Sequence, residues 1–170
     1  MESSALIIVD MQMFFLKNFK SDSLQNLIDN QTIILNYFVK NKLPICFLEY
    51  KAGGILRGTT IPALRKLANG ASSHVIIKEN NSGFIGTNLD THLKALGVKN
   101  LILMGVNANG CVQDTAMSAL RRGYKVITAE GVTASSSRRD LSFSTNNKNW
   151  YLKHTLLSAN VTALLKKIAH

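Results

Sequence analysis

Apolar and polar positions divide the chain into short apolar runs separated by amphipathic stretches. Residues 5–9 (Ala5, Leu6, Ile7, Ile8, Val9) are continuously apolar, the pattern of a strand covered on both faces. Over residues 22–41, Leu24, Leu27, Ile28, Leu35 and Phe38 recur near helical spacing, with Ser21 or Asp22 placed to cap the helix. Residues 44–49 read as a second strand. Residues 50–60 hold two adjacent glycines and no apolar period, which predicts a loop. A short helix is expected near residues 62–68 and a third strand at 74–78. Leu89, Leu93 and Leu96 share one helical face, and Gly97 suits the position just past a helix end. Residues 101–104 form a fourth strand. Residues 111–122 form a helix with Val112, Thr115, Ala116, Ala119 and Leu120 inward. Gly123 ends that helix, and residues 125–129 make a fifth strand. The polar, serine- and asparagine-rich residues 130–148 predict a long loop. Helices at 150–158 and 162–168 close the chain.

Strands alternating with helices imply right-handed crossovers and a mostly parallel sheet covered on both faces. The length of 170 residues fits one domain spanning 1–170. A hydrophobic fraction of 46% with only 2 prolines excludes a disordered chain. No apolar run reaches signal-core or membrane-spanning length, so the expectation is a cytoplasmic protein with no membrane partner. The net charge of +10 raises the question of nucleic acid. The basic residues are scattered, with pairs at Arg121–Arg122, Arg138–Arg139 and Lys166–Lys167 but no tract and no aromatic motif beside them. A solvated basic surface is the reading, and nucleic acid is not expected as a partner.

Active groups in an open parallel sheet gather at the carboxyl ends of its strands. Asp10 follows the first predicted strand, Lys78 ends the third, and Cys111 lies after the fourth and opens a helix. Taken singly, such residues are usually a turn aspartate, a solvated lysine and a small core thiol, which is also the reading of Cys46. Together at one sheet edge they make coherent chemistry. A helix N-terminus and an ammonium both lower a thiol pKa. A carboxylate takes the thiol proton and returns it to a leaving group. Lys78 keeps Asp10 ionised and in place. Gly110 permits an unusual turn before Cys111, and free amides of that turn suit an oxyanion.

Three segments carry a family resemblance: residues 5–15 with Asp10-Met11-Gln12, residues 78–90 with Lys78, Ser82, Gly83, Phe84 and Thr87, and residues 105–119 around Cys111, followed by Gly123-Tyr124. In that order and spacing, the sequence resembles the isochorismatase-like cysteine hydrolases, which include nicotinamidases and N-carbamoylsarcosine amidases. The resemblance implies a three-layer α/β/α, doubly wound, mostly parallel sheet of five or six strands. It implies Asp10, Lys78 and Cys111 as a catalytic triad. It further implies a cis peptide at Val106–Asn107, an oxyanion hole from the amides of Asn107 and Cys111, and a homodimer or homotetramer.

Nicotinamidases carry a metal site of an aspartate and histidines after the second strand. Residues 49–60 contain no histidine, and His74, His92, His154 and His170 have no chelating spacing. Neither a metal nor another cofactor is therefore expected. Ala108 stands where the family often has threonine, and Glu130-Gly131 where Asp-Ala is common. The expected reaction is cysteine-dependent C–N hydrolysis of a small amide or carbamoyl compound through a thioester. Phe15, Tyr50, Phe84 and Trp150 are candidate pocket walls, and Arg57 a candidate for an anionic substrate group. Two alternatives stand beside this: an isochorismate-type vinyl-ether hydrolase, in which the cysteine is dispensable, and a non-catalytic binding module on the same scaffold.

Overall fold

The computed structural model describes residues 3–135 and 145–169. Its elements are β1 (Ser4–Val9), α1 (Met13–Leu16), α2 (Ser21–Lys40), β2 (Ile45–Ala52), β3 (Ile55–Leu56) and α3 (Pro62–Arg65), the last running into a 3-10 turn at Lys66–Ala68. Then come β4 (Ser73–Lys78), α4 (Leu89–Ala95), β5 (Asn100–Val106), α5 (Cys111–Arg121), β6 (Lys125–Ala129), β7 (Thr133–Ala134), α6 (Thr145–His154), β8 (Leu156–Ser158) and α7 (Val161–Ala169). The longer strands lie parallel in the order β4-β2-β1-β5-β6-β8.

The sheet is covered on both faces, and its central strands β1 and β5 are buried at every position. Along β1, Leu6 and Ile8 face a core shared with Leu27, Leu35 and Phe38 of α2 and Leu164 and Ile168 of α7. Ala5, Ile7 and Val9 face the opposite core, with Leu89 and Leu93 of α4, Val112 and Ala116 of α5, and Tyr151 of α6. Alternation along a strand thus builds the two outer helical layers of the expected α/β/α sandwich.

Three predicted stretches differ. Within residues 50–60, β2 continues to Ala52 and turns back through β3, pairing Lys51 with Leu56 and Ala52 with Ile55. Gln12 holds this hairpin from outside it, by hydrogen bonds that no local pattern encodes. Residues 130–148 hold β7, which lies beside the end of β5, and the first turn of α6. The middle of that expected loop, 136–144, lies outside the described residues. Finally, the helix expected at 150–158 starts at Thr145 and stops at His154, and Leu156–Ser158 joins the sheet against Ile127–Ala129. The first turns of α6 are polar and carry no apolar period. The two short strands and β8 bring the sheet to eight strands among the described residues. Leu96, expected inward, sits at the end of α4 and is 42% exposed.

Gly105 is required where β5 passes β1. Its φ is +132°, and a Cβ there would stand 2.1 Å from the Val9 carbonyl oxygen. Backbone cannot yield as a side-chain tip can. Gly105→Ala is therefore expected to destabilise by about 3 kcal/mol, read as a lowered midpoint in urea unfolding.

Candidate active site

Parallel pairing of β1 with β2 and β5, and of β2 with β4, brings the ends of these strands to one edge of the sheet. Asp10 leaves β1 with φ +51°, a left-handed conformation that aspartate tolerates better than most residues. Its N–H donates to Leu48 O at 3.0 Å, and its carbonyl accepts from Gln12 N at 2.7 Å. These bonds turn the side chain toward Lys78 at the end of β4. Lys78 Nζ donates to Asp10 Oδ2 at 2.9 Å and to Asn80 O at 3.2 Å, and lies 4.7 Å from the centre of the Tyr50 ring. Both charged side chains are essentially inaccessible, at 0% and 1%. A buried pair of this kind needs every partner it has, because neither charge retains water.

Cys111 is the first residue of α5, capped by Gly110. Its amide is among the helix N–H groups that precede any intrahelical partner. Val112 N donates to Asn107 O and Asp114 N to Gly110 O, so the turn 107–114 is braced by its own backbone. The Val106–Asn107 peptide is cis. Among the described residues no hydrogen-bond donor reaches the buried Asp10 Oδ1, and the Cys111 thiol lies close enough to this carboxylate to influence it.

Burial holds the Asp10 carboxyl above the ordinary carboxylate range, and the opposing pull of Lys78 and the thiol does not cancel it. Burial, and then the Asp10 carboxylate, push the Cys111 thiol up to about 12 against the pull of Lys78. The expected lowering of this thiol pKa is thus corrected. The carboxylate stands beside the sulfur and desolvation acts on both, which outweighs the ammonium and the helix end. A neutral thiol beside a carboxylate of raised basicity suits proton transfer between them during reaction rather than a preformed thiolate.

The other expected site residues are distributed unevenly. Phe15 is half-buried and meets the Tyr50 ring edge-on at 5.9 Å, so this pair adjoins Lys78. Arg57 lies over the Phe14 ring at 5.0 Å. Phe84 is 4% exposed and packs against Tyr124 at 5.8 Å, a core position rather than an open wall. Trp150 is half-buried, with Tyr151 and His154 each 5.0 Å away.

Two residues with a part in the site carry no assigned role in the sequence reading, although Gln12 stands in the Asp10-Met11-Gln12 segment. Gln12 is fully buried. Its Nε2 donates to Tyr50 O at 3.2 Å and to Gly58 O, and its Oε1 accepts from Tyr50 N at 2.7 Å. It fixes the Tyr50 ring under Lys78, and an amide two residues after Asp10 was the available signal. Asn81 Oδ1 accepts from Cys111 Sγ at 3.8 Å, and its Nδ2 donates to Asp114 Oδ2 at 3.0 Å. Within Asn80-Asn81-Ser82 it reads only as a turn residue.

In the hairpin region, Glu49 is buried and accepts from Thr60 N at 2.8 Å. With no histidine among residues 49–60, this donor set does not fit the aspartate-and-histidine metal site of nicotinamidases. His74 and His92 stack at 4.6 Å, ring on ring, a packing contact rather than a chelating one. Among the described residues, no helix is long and apolar enough to cross a membrane.

The chain resembles known proteins in sequence and in fold. Nicotinamidase 3 of Arabidopsis thaliana is 25% identical over 149 residues, covering 77% of this chain and 73% of that protein. The secreted isochorismatase effector Isc1 of Verticillium dahliae is 29% identical over 135 residues, covering 76% and 71%. The crystal structure of N-carbamoylsarcosine amidase from Thermoplasma acidophilum superposes with a TM-score of 0.78 at 25% identity, over 92% of this chain and 95% of that one. The family model described as the isochorismatase domain matches residues 4–159. With the sheet, its two helical layers and the strand-end cluster in hand, the chain belongs to the isochorismatase family of hydrolases.

Proposed function

We propose that the protein is a cysteine-dependent amidohydrolase that cleaves the C–N bond of a small amide or carbamoyl compound. The observation that carries this reading is the buried Asp10–Lys78 pair, with one carboxylate oxygen left to the Cys111 thiol. As Cys111 Sγ attacks the substrate carbonyl, its proton passes to Asp10 and a C–S bond forms. The amides of Cys111 and Asn107 are proposed to receive the developing oxyanion. Asp10 then gives the proton to the departing nitrogen as the C–N bond breaks, leaving a thioester. Water attacks the thioester, Asp10 takes a proton from it, and that proton returns to sulfur as the acid leaves. Lys78 keeps Asp10 oriented and favours its ionised form throughout. Relatives named as a nicotinamidase and an N-carbamoylsarcosine amidase support the choice of C–N bonds.

Turnover of a panel of small primary amides by wild type and Cys111→Ala tests this reading. Wild type is expected to release ammonia and, with hydroxylamine present, to yield the hydroxamate that a thioester produces. Cys111→Ala is expected to lose both by about a thousandfold or more. Amide turnover that survives Cys111→Ala would contradict the proposal, because the sulfur would then not be the nucleophile.

A further inference from the structure

A cavity of about 440 Å³ lies between residues 79–85 and the solvent face of α5. Asn81, Ser82, Ile85, Asp114, Ser118 and Arg121 form much of its wall. Cys111 does not line it, but Asn81 joins the two, accepting from the thiol on one side and donating to Asp114 on the other. Ser82 and Ser118 are both buried and share a hydrogen bond at 2.8 Å, which closes the cavity wall with a satisfied polar pair.

The charges in this cavity are not equivalent. Asp114 is engaged by Asn81, and Glu79 by Lys51 at 2.8 Å. Arg121, at the end of α5, has no hydrogen bond or ion pair among the described residues. Ten residues of helix separate it from Cys111, roughly 15 Å of rise. A long side chain leaning toward the helix N-terminus shortens that span. Between the two ends, Ile85 and Met117 supply apolar wall.

We propose that this cavity binds the acyl portion of an elongated amide, with a terminal carboxylate of the substrate on Arg121. The inference rests on the hydrolase reading, since it places the scissile amide at Cys111, with Asn81 displaced from the thiol as the substrate enters. It assigns Arg121, rather than Arg57, to the anionic group.

The test reads binding, not turnover. The rate at which iodoacetamide alkylates Cys111 is measured in the full chain with suberic acid monoamide or with octanamide present, in wild type, Arg121→Gln and Arg121→Lys. In wild type the carboxylate compound is expected to protect at about fivefold lower concentration than the neutral one, the scale of one partly exposed ion pair. Arg121→Lys keeps the difference and Arg121→Gln removes it. Equal protection by both compounds in wild type, or a difference that survives Arg121→Gln, would overturn the proposal. The hydroxamate experiment judges the hydrolase reading separately, so the cavity assignment can fail while amide turnover stands.

Discussion

Lys78→Met is expected to destabilise the protein by about 3–5 kcal/mol, the penalty for removing one partner of a buried charge pair. Methionine keeps most of the side-chain volume, so the loss is electrostatic rather than a cavity effect. Asp10 keeps its place at 1% exposure but loses the ammonium 2.9 Å away. The effect carries a pH signature with a definite sign. Burial already raises the Asp10 carboxyl above its ordinary 3.8 in the folded chain. Without Lys78 it rises further. Between 3.8 and that raised value, the folded state binds more protons than the unfolded one, so stability falls as pH rises through this window. Below it the penalty is absent, and above it the penalty is complete. Thermal unfolding should therefore show a larger deficit for Lys78→Met at pH 8 than at pH 5. Equal deficits at both would mean that the ion pair does not govern Asp10.

Asp10→Asn is expected to reduce amide hydrolysis by about 10²–10⁴-fold, the usual contribution of a positioned acid–base group. Asparagine adopts the left-handed backbone of this position about as readily as aspartate, but it leaves the buried Lys78 ammonium without its carboxylate. A stability loss of about 3–5 kcal/mol therefore accompanies the chemical one, and activity is compared at a temperature where both proteins are folded. In the wild type, kcat/KM should rise with pH through the raised Asp10 pKa rather than through 3.8, because only the carboxylate can take the thiol proton. In Lys78→Met that limb should move to still higher pH. A wild-type limb at the ordinary carboxylate value would mean that another group titrates.

Much of this site is legible in the sequence. Continuous apolar runs at β1 and β5 required a sheet covered on both faces, and strand ends then placed Asp10, Lys78 and Cys111 at one edge. Three things were not legible, for separate physical reasons. The β2–β3 hairpin is held by Gln12 from a distant part of the chain, and its two-residue return strand is exposed, so no alternation marks it. Helix α6 begins in a polar stretch, while β8 is defined by its pairing with β6 rather than by its own three residues. The thiol was misjudged because sequence shows which charges stand near Cys111 but not how deeply all of them are buried. Desolvation is a property of the packed core, and here it is the largest influence on both Asp10 and Cys111. Phe84 illustrates the same limit, since an aromatic beside a functional segment reads as a wall until its packing against Tyr124 is seen.

The account rests on a neutral Cys111 thiol that Asp10 deprotonates during the reaction. The pH dependence of Cys111 alkylation by iodoacetamide tests this most directly, followed by intact mass in wild type and Asp10→Asn, with Cys111→Ala as the control for Cys46. The account predicts a wild-type midpoint above the free-thiol value of about 8.5. It also predicts a lower midpoint in Asp10→Asn, where the carboxylate that raises the thiol is gone and Lys78 remains. A wild-type midpoint well below 8.5, unmoved or raised by Asp10→Asn, would contradict it and establish a preformed thiolate paired with Lys78.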